Sequence, residues 1–277
     1  MKCSVGAIAA ICAVSLAAFA TPSVAQPATA LQNKQVDVEY VRPRNPQFRP
    51  IYDDLTKRKV LEELRQFLSP LKLPRKLVVK IDECGASMRD YKPGGPATIC
   101  YEVIGQIVRI ADKANPDMRA SVIDGTFVQA ALHEVAHAVL DILRVPVWGR
   151  LNDAADRLAA FIMLQFGDEV ARRTIVGTAL FFELSGRSWT GSEFADVKSP
   201  EAQRYFNYLC IAFGGAPKTF EFLVKAEGDA KPILPVDRAR RCAGEYAQVH
   251  LAFNLRIMPY VDPDLLVKVR ASQWVVR

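Results

Sequence analysis

The stretch Ala131-Leu132-His133-Glu134-Val135-Ala136-His137-Ala138-Val139-Leu140 decides how this chain is read, because it carries two of only three histidines in 277 residues. Its apolar neighbours Val122, Ile123, Phe127, Val128, Leu132, Val135, Val139 and Leu143 recur at helical spacing and predict a helix buried on most sides. On that helix His133 and His137 stand one turn apart on one face, with Glu134 about 100° round the axis. Two imidazoles so spaced suit zinc, and the adjacent carboxylate suits a general base for a metal-bound water. Three unpaired polar groups in so apolar a helix would otherwise be costly to bury.

Upstream, Lys2, the apolar run Val5 to Ala20 and the small-residue site Ser23-Val24-Ala25 predict a signal peptide over residues 1–25. The run is short for a permanent membrane anchor. The expectation is therefore an exported protein, periplasmic or secreted, starting near Gln26. Loss of Lys2 lowers the formal net charge from +6 to +5. The densest basic run, Arg238-Ala239-Arg240-Arg241, has no interleaved aromatics, so it predicts a solvated helix face and no nucleic-acid partner. Four cysteines remain after the leader, none in Cys-x-x-Cys spacing, and the expected pairs are the local ones, Cys84–Cys100 and Cys210–Cys242.

Residues 26–50 read as an extended segment and 51–277 as one domain, large enough to bury its own core. Strand patterns occur at Val36–Val41, Lys76–Ile81 and Ala97–Tyr101, and a helix is expected from Ile51 to Phe67. Helical patterns dominate from Glu102 to Phe253. The class is α+β, a small N-terminal sheet followed by a predominantly helical portion that carries the histidine helix.

A catalytic zinc site usually takes three protein ligands and a water. The next helix is expected to open at Asn152-Asp153-Ala154-Ala155-Asp156, after the breaker Val145-Pro146-Val147-Trp148-Gly149. Asn152 and Asp153 are both candidates for the third ligand, and both are equally natural as helix-start residues. Elsewhere, His250 is a candidate oxyanion stabiliser or an ordinary packing residue. Arg204 suits either a substrate carboxylate or an ion pair between helices. Tyr91 and Tyr101 suit a cleft border or core packing.

His133-Glu134-x-x-His137 followed by Asn152-x-x-Ala-Asp156 is similar to the zincin pattern, in which a Glu at the first position binds zinc and the Asp one turn on orients a zinc-bound histidine. The chain also resembles, from about Arg58 to Tyr260, a family of bacterial exported metallopeptidases named as a domain of unknown function. The matching pieces are Glu83-Cys84-Gly85, Ile99-Cys100-Tyr101-Glu102, the histidine motif, Gly149-Arg150, Asp153-Ala154-Ala155-Asp156, and Gln203-Arg204-Tyr205-Phe206-Asn207-Tyr208-Leu209-Cys210 with Gly214. The resemblance implies a zincin-like fold, one Zn2+ per chain, a peptide or protein substrate, Glu134 as catalytic base and Asp156 behind a histidine. This sequence departs from the family pattern at Asn152 (Glu there), near Ser87–Asp90 (Asn-Ala-Phe-Tyr there) and near Lys198 (a His there). The first departure implies the rival expectation, a catalytically degenerate zincin-fold binding protein.

Overall fold

A computed structural model describes residues 35–85, 91–186, 196–225 and 232–271; the expected signal peptide and Ser87–Asp90 lie outside the described residues. Three short strands, β1 (Val36–Tyr40), β2 (Leu77–Asp82) and β3 (Ala97–Cys100), form a parallel sheet in the order β1-β2-β3. Val38 faces Val79, and Ile81 faces Ile99. The period-2 pattern of β2 sends Leu77, Val79 and Ile81 into the core.

Between β1 and β2 run α1 (Arg49–Lys57) and α2 (Val60–Leu68), where the sequence pattern predicts one continuous helix. Lys59 takes a left-handed backbone, φ 54°, and breaks it. The break lets α1 bury Leu55 while α2 turns Leu61, Leu64 and Leu68 inward. Tyr101, expected to end a strand, instead opens α3 (Tyr101–Ala111). It is fully buried, and its hydroxyl donates to the Val41 carbonyl at 2.8 Å, so it is core and not cleft wall.

The predicted histidine helix is α4 (Pro116–Ile142), capped by the Asn115 side chain, which accepts from Asp117 N–H, and with Pro116 in its first turn. It packs against β3, α3, α5 (Leu151–Met163) and α6 (Asp168–Ser185). The approach of α4 to α6 is backbone on backbone. A Cβ on Gly125 would lie 2.2 Å from the Thr174 carbonyl oxygen, and one on Gly177 would lie 1.9 Å from that of Ser121. The helix ends where Arg144 turns left-handed, and Val145 N–H reaches back to the Leu140 carbonyl.

The remaining helices are α7 (Glu201–Gly215), α8 (Val236–Arg256) and α9 (Pro263–Ala271). Disulfide Cys210–Cys242 joins α7 to α8, and Cys84–Cys100 joins the loop after β2 to the end of β3. Both suit an oxidising compartment. Among the described residues no helix is long and apolar enough to cross a membrane. The basic run on α8 is dispersed into local pairs, Arg238 with Glu245 and Arg240 with Asp237.

Candidate metal centre

Every fourth residue along the buried half of α4 is polar: Gln129, His133, His137 and Asp141. At 3.6 residues per turn these four side chains form one stripe, and each meets a partner outside α4.

His133 and His137 turn their Nε2 atoms toward each other, 3.0 Å apart. The Asn152 Oδ1 atom lies 3.3 Å from the first and 3.2 Å from the second. The Asn152 amide nitrogen donates to the Val197 carbonyl at 3.3 Å, which keeps the oxygen aimed at the imidazoles. Asp153 is turned elsewhere and accepts from Ser199 Oγ at 2.9 Å. Of the two candidate third ligands, the structure brings Asn152 to the histidines. The expectation that these residues open the helix is corrected: α5 starts at Leu151 with Arg150 as its flanking residue. That start puts Asn152 in the first turn, on the face toward α4.

His133 Nδ1 is 2.7 Å from Asp156 Oδ1. Asp156 is buried and also receives Gln129 Nε2 at 3.1 Å, together with Arg204 Nε at 2.7 Å on its other oxygen and Nη2 at 3.0 Å. Burial by itself pushes the Asp156 carboxyl up. The Arg204 guanidinium, then the His133 imidazole and their hydrogen bonds, overcome this and hold it well below the ordinary carboxylate range. An ionised Asp156 accepts the proton on His133 Nδ1, which leaves Nε2 as the ring nitrogen turned toward His137 and Asn152. Arg204 is therefore the ion pair between α5 and α7, and its guanidinium is turned inward to Asp156.

His137 is held differently. The Tyr91 ring lies parallel to it, centroids 5.8 Å apart and planes 5° off. Tyr91 is fixed in turn by its hydroxyl, which donates to Asp141 Oδ2 at 2.9 Å; Gly94 N–H and Arg75 bind the same oxygen. The base of this loop is tied down by Glu102, whose carboxylate accepts Cys84 N–H at 3.0 Å and Gly85 N–H at 2.8 Å. Burial, then the neighbouring His133, push the His137 imidazole down to about 4, so it is neutral near pH 7. Its Nδ1 is buried with no hydrogen-bond partner among the described residues.

Two ring nitrogens and an amide oxygen thus converge within 3.0–3.3 Å of one another. The His137 Nδ1 atom, buried without a hydrogen-bond partner among the described residues, leaves Nε2 as the only nitrogen of that ring facing a polar neighbour. Two imidazole nitrogens and an oxygen held this close are a donor set that suits a divalent cation, so the residues present fit a metal. Among the described residues no third His, Cys, Asp or Glu joins the two histidines in a ligand cluster; the one cluster of that kind contains the Cys84–Cys100 disulfide, which cannot ligate. Glu134 stands beside the pair, partly buried.

His250 is not part of this centre. It stacks on Tyr246 with centroids 5.8 Å apart, bonds Asn254 and lies 5.9 Å from the Phe161 ring. With Val135 and Val139 it lines an apolar cavity of about 720 Å³. Val135 points about 200° round α4 from His133, so that cavity is on the far side of the helix. Sequence reading passed over Gln129 and Asp141 on α4 itself and the Val197 carbonyl from a distant segment, while Tyr91, a cleft-border candidate there, stacks on His137. Gln129 and Asp141 did carry a signal, the four-residue polar interval within an apolar helix.

A buried helix that presents two histidines and an adjacent glutamate beside a small sheet defines a candidate metal-dependent hydrolase. The chain belongs to the DUF4344 family, described as "Putative metallopeptidase", whose family model matches residues 40–255. No curated protein and no solved structure matches it.

Proposed function

We propose that this is an exported zinc-dependent peptidase of zincin-like fold, with His133, His137 and Asn152 as the protein ligands of one zinc ion. The observation that carries the reading is the spacing of the three donor atoms, 3.0, 3.2 and 3.3 Å. Adjacent donors around a tetrahedral zinc with bonds near 2.0–2.1 Å stand roughly 3.3 Å apart. Zinc, when bound, supplies Lewis acidity toward the scissile carbonyl and lowers the pKa of a bound water. Asp156 accepts the proton on His133 Nδ1, so Nε2 is the nitrogen that would hold the ion. The Glu134 carboxylate takes the proton of the attacking water and delivers it to the leaving amine. β3, the last strand of the sheet among the described residues and packed against α4, offers its edge to an extended peptide. The two disulfides and the N-terminal apolar run support export.

Glu134→Gln tests the reaction. It keeps zinc content and lowers cleavage of a mixed peptide library by roughly 10²–10⁴-fold, the usual contribution of a positioned general base. A neutral amide at the third ligand position favours a second reading, a binding protein that keeps the scaffold. Zinc-loaded wild-type protein that binds library peptides and cleaves none would replace the first reading with the second.

A further inference from the structure

We propose that Arg204 is a positioning residue that sets the strength of the metal site through Asp156; the inference rests on the metal reading given above. The argument is geometric. Asp156 Oδ1 is the only carboxylate oxygen that the described structure brings to a ring nitrogen of either histidine, at 2.7 Å. That oxygen also accepts Gln129 Nε2 and Arg204 Nη2, and its twin accepts Arg204 Nε. Arg204 therefore grips both oxygens with a two-pronged fork, which fixes the plane of the carboxylate as well as its position.

The fork is itself immobilised. The Arg204 guanidinium carbon lies 4.2 Å above the Phe182 ring, and Arg204 and Asp156 side chains are only 16% and 6% exposed. A chain of contacts thus runs from α6 (Phe182) through α7 (Arg204) and α5 (Asp156) to His133 on α4. Each contact restrains the next side chain in line. Asn152 is a neutral donor and contributes little charge attraction to a divalent ion, so the site depends on its two imidazoles being held in place. His137 has a stacked tyrosine for this purpose, and His133 has the Asp156–Arg204 pair. Among the described residues Arg204 bonds Asp156 and neither histidine nor Asn152, so it acts through the carboxylate. Groups behind metal ligands commonly carry about 10–100-fold of metal affinity.

The test is a double-mutant cycle on the full chain, read by zinc competition with a chromophoric chelator. Arg204→Gln should weaken zinc binding about 10–100-fold. Arg204→Lys, which keeps the charge and loses the fork, should recover part of that. In an Asp156→Asn background, Arg204→Gln should add less than about 2-fold, because its route to the histidine is already cut. If Arg204→Gln alone does not fold, the Lys variant and the Asp156→Asn/Arg204→Gln double variant, which leaves no unpaired buried charge, carry the comparison. A second readout needs no metal: the proton NMR signal of His133 Nδ1–H, low-field in the wild-type protein, should shift or vanish in Arg204→Gln and persist in Arg204→Lys. An Arg204→Gln protein with a lowered unfolding midpoint, unchanged zinc affinity and an unchanged His133 signal would overturn the proposal and leave Arg204 a purely structural ion pair. Wild-type protein that binds no zinc would overturn the metal reading, while the proton signal would still report whether Arg204 orients His133.

Discussion

Replacing Asn152 with Asp tightens zinc binding on the order of 100-fold, about 2.7 kcal/mol. The two side chains are isosteric, so the new carboxylate oxygen occupies the place where Asn152 Oδ1 now stands, 3.2–3.3 Å from both imidazole nitrogens. The wild-type donor set is neutral: two imidazoles and an amide. Asp156, the carboxylate bonded to His133, is also paired with Arg204, which offsets its charge. A full negative charge in direct contact with a divalent ion changes that balance. Charge-assisted contacts are roughly twice as strong as neutral ones, and more so where water is excluded. The opposing cost is at Val197: the amide loses its 3.3 Å bond to that carbonyl, and the carboxylate oxygen in its place meets another acceptor, which the gain must exceed. Asn152→Glu should gain less, because its extra methylene pushes the oxygen past the present position. Competition against a chelator measures both. Equal affinities in wild type and Asn152→Asp would mean that Asn152 does not ligate.

Gly177→Ala lowers stability by about 3 kcal/mol or more, beyond the usual range for one added methyl group. The reason is the contact it makes. The new Cβ would fall 1.9 Å from the Ser121 carbonyl oxygen and 2.4 Å from its carbon, both backbone atoms of α4 that cannot rotate away. Relief requires α6 to move off α4, which would loosen Thr174, Ile175 and Thr178, all fully buried at that face. For a chain of this size the unfolding midpoint should drop by roughly 6–12 °C. Gly244→Ala is the control. It lies within α8 with nothing within 4 Å of its added Cβ, and helix propensity makes it neutral or slightly stabilising. Thermal unfolding of the two variants side by side checks the pair, and equal midpoints would contradict the close crossing.

Features encoded within one element were legible in the sequence. The histidine helix follows from apolar periodicity, and the shared face of His133 and His137 follows from four-residue spacing. The strand patterns lie within a residue of β1, β2 and β3. Features that depend on where one segment meets another were not legible. The choice between Asn152 and Asp153 turns on α5 beginning at Leu151, because one residue of offset rotates the whole set by about 100°. Lys59 interrupts the first predicted helix although its sequence carries no Gly or Pro. Only the tertiary gain from turning α2 inward explains that left-handed residue. Tyr91 reaches His137 from 46 positions away, and Arg204 reaches Asp156 from 48 positions away. No local pattern links either pair.

The central claim is that His133 and His137 hold a metal ion, and equilibrium dialysis of the full chain against zinc, with His133→Ala beside it, tests that most directly. The account predicts about one zinc bound per wild-type chain and none at the same free-zinc concentration in the variant. Wild-type protein that takes up no zinc at saturating metal, or a His133→Ala protein that binds it equally well, would contradict the account.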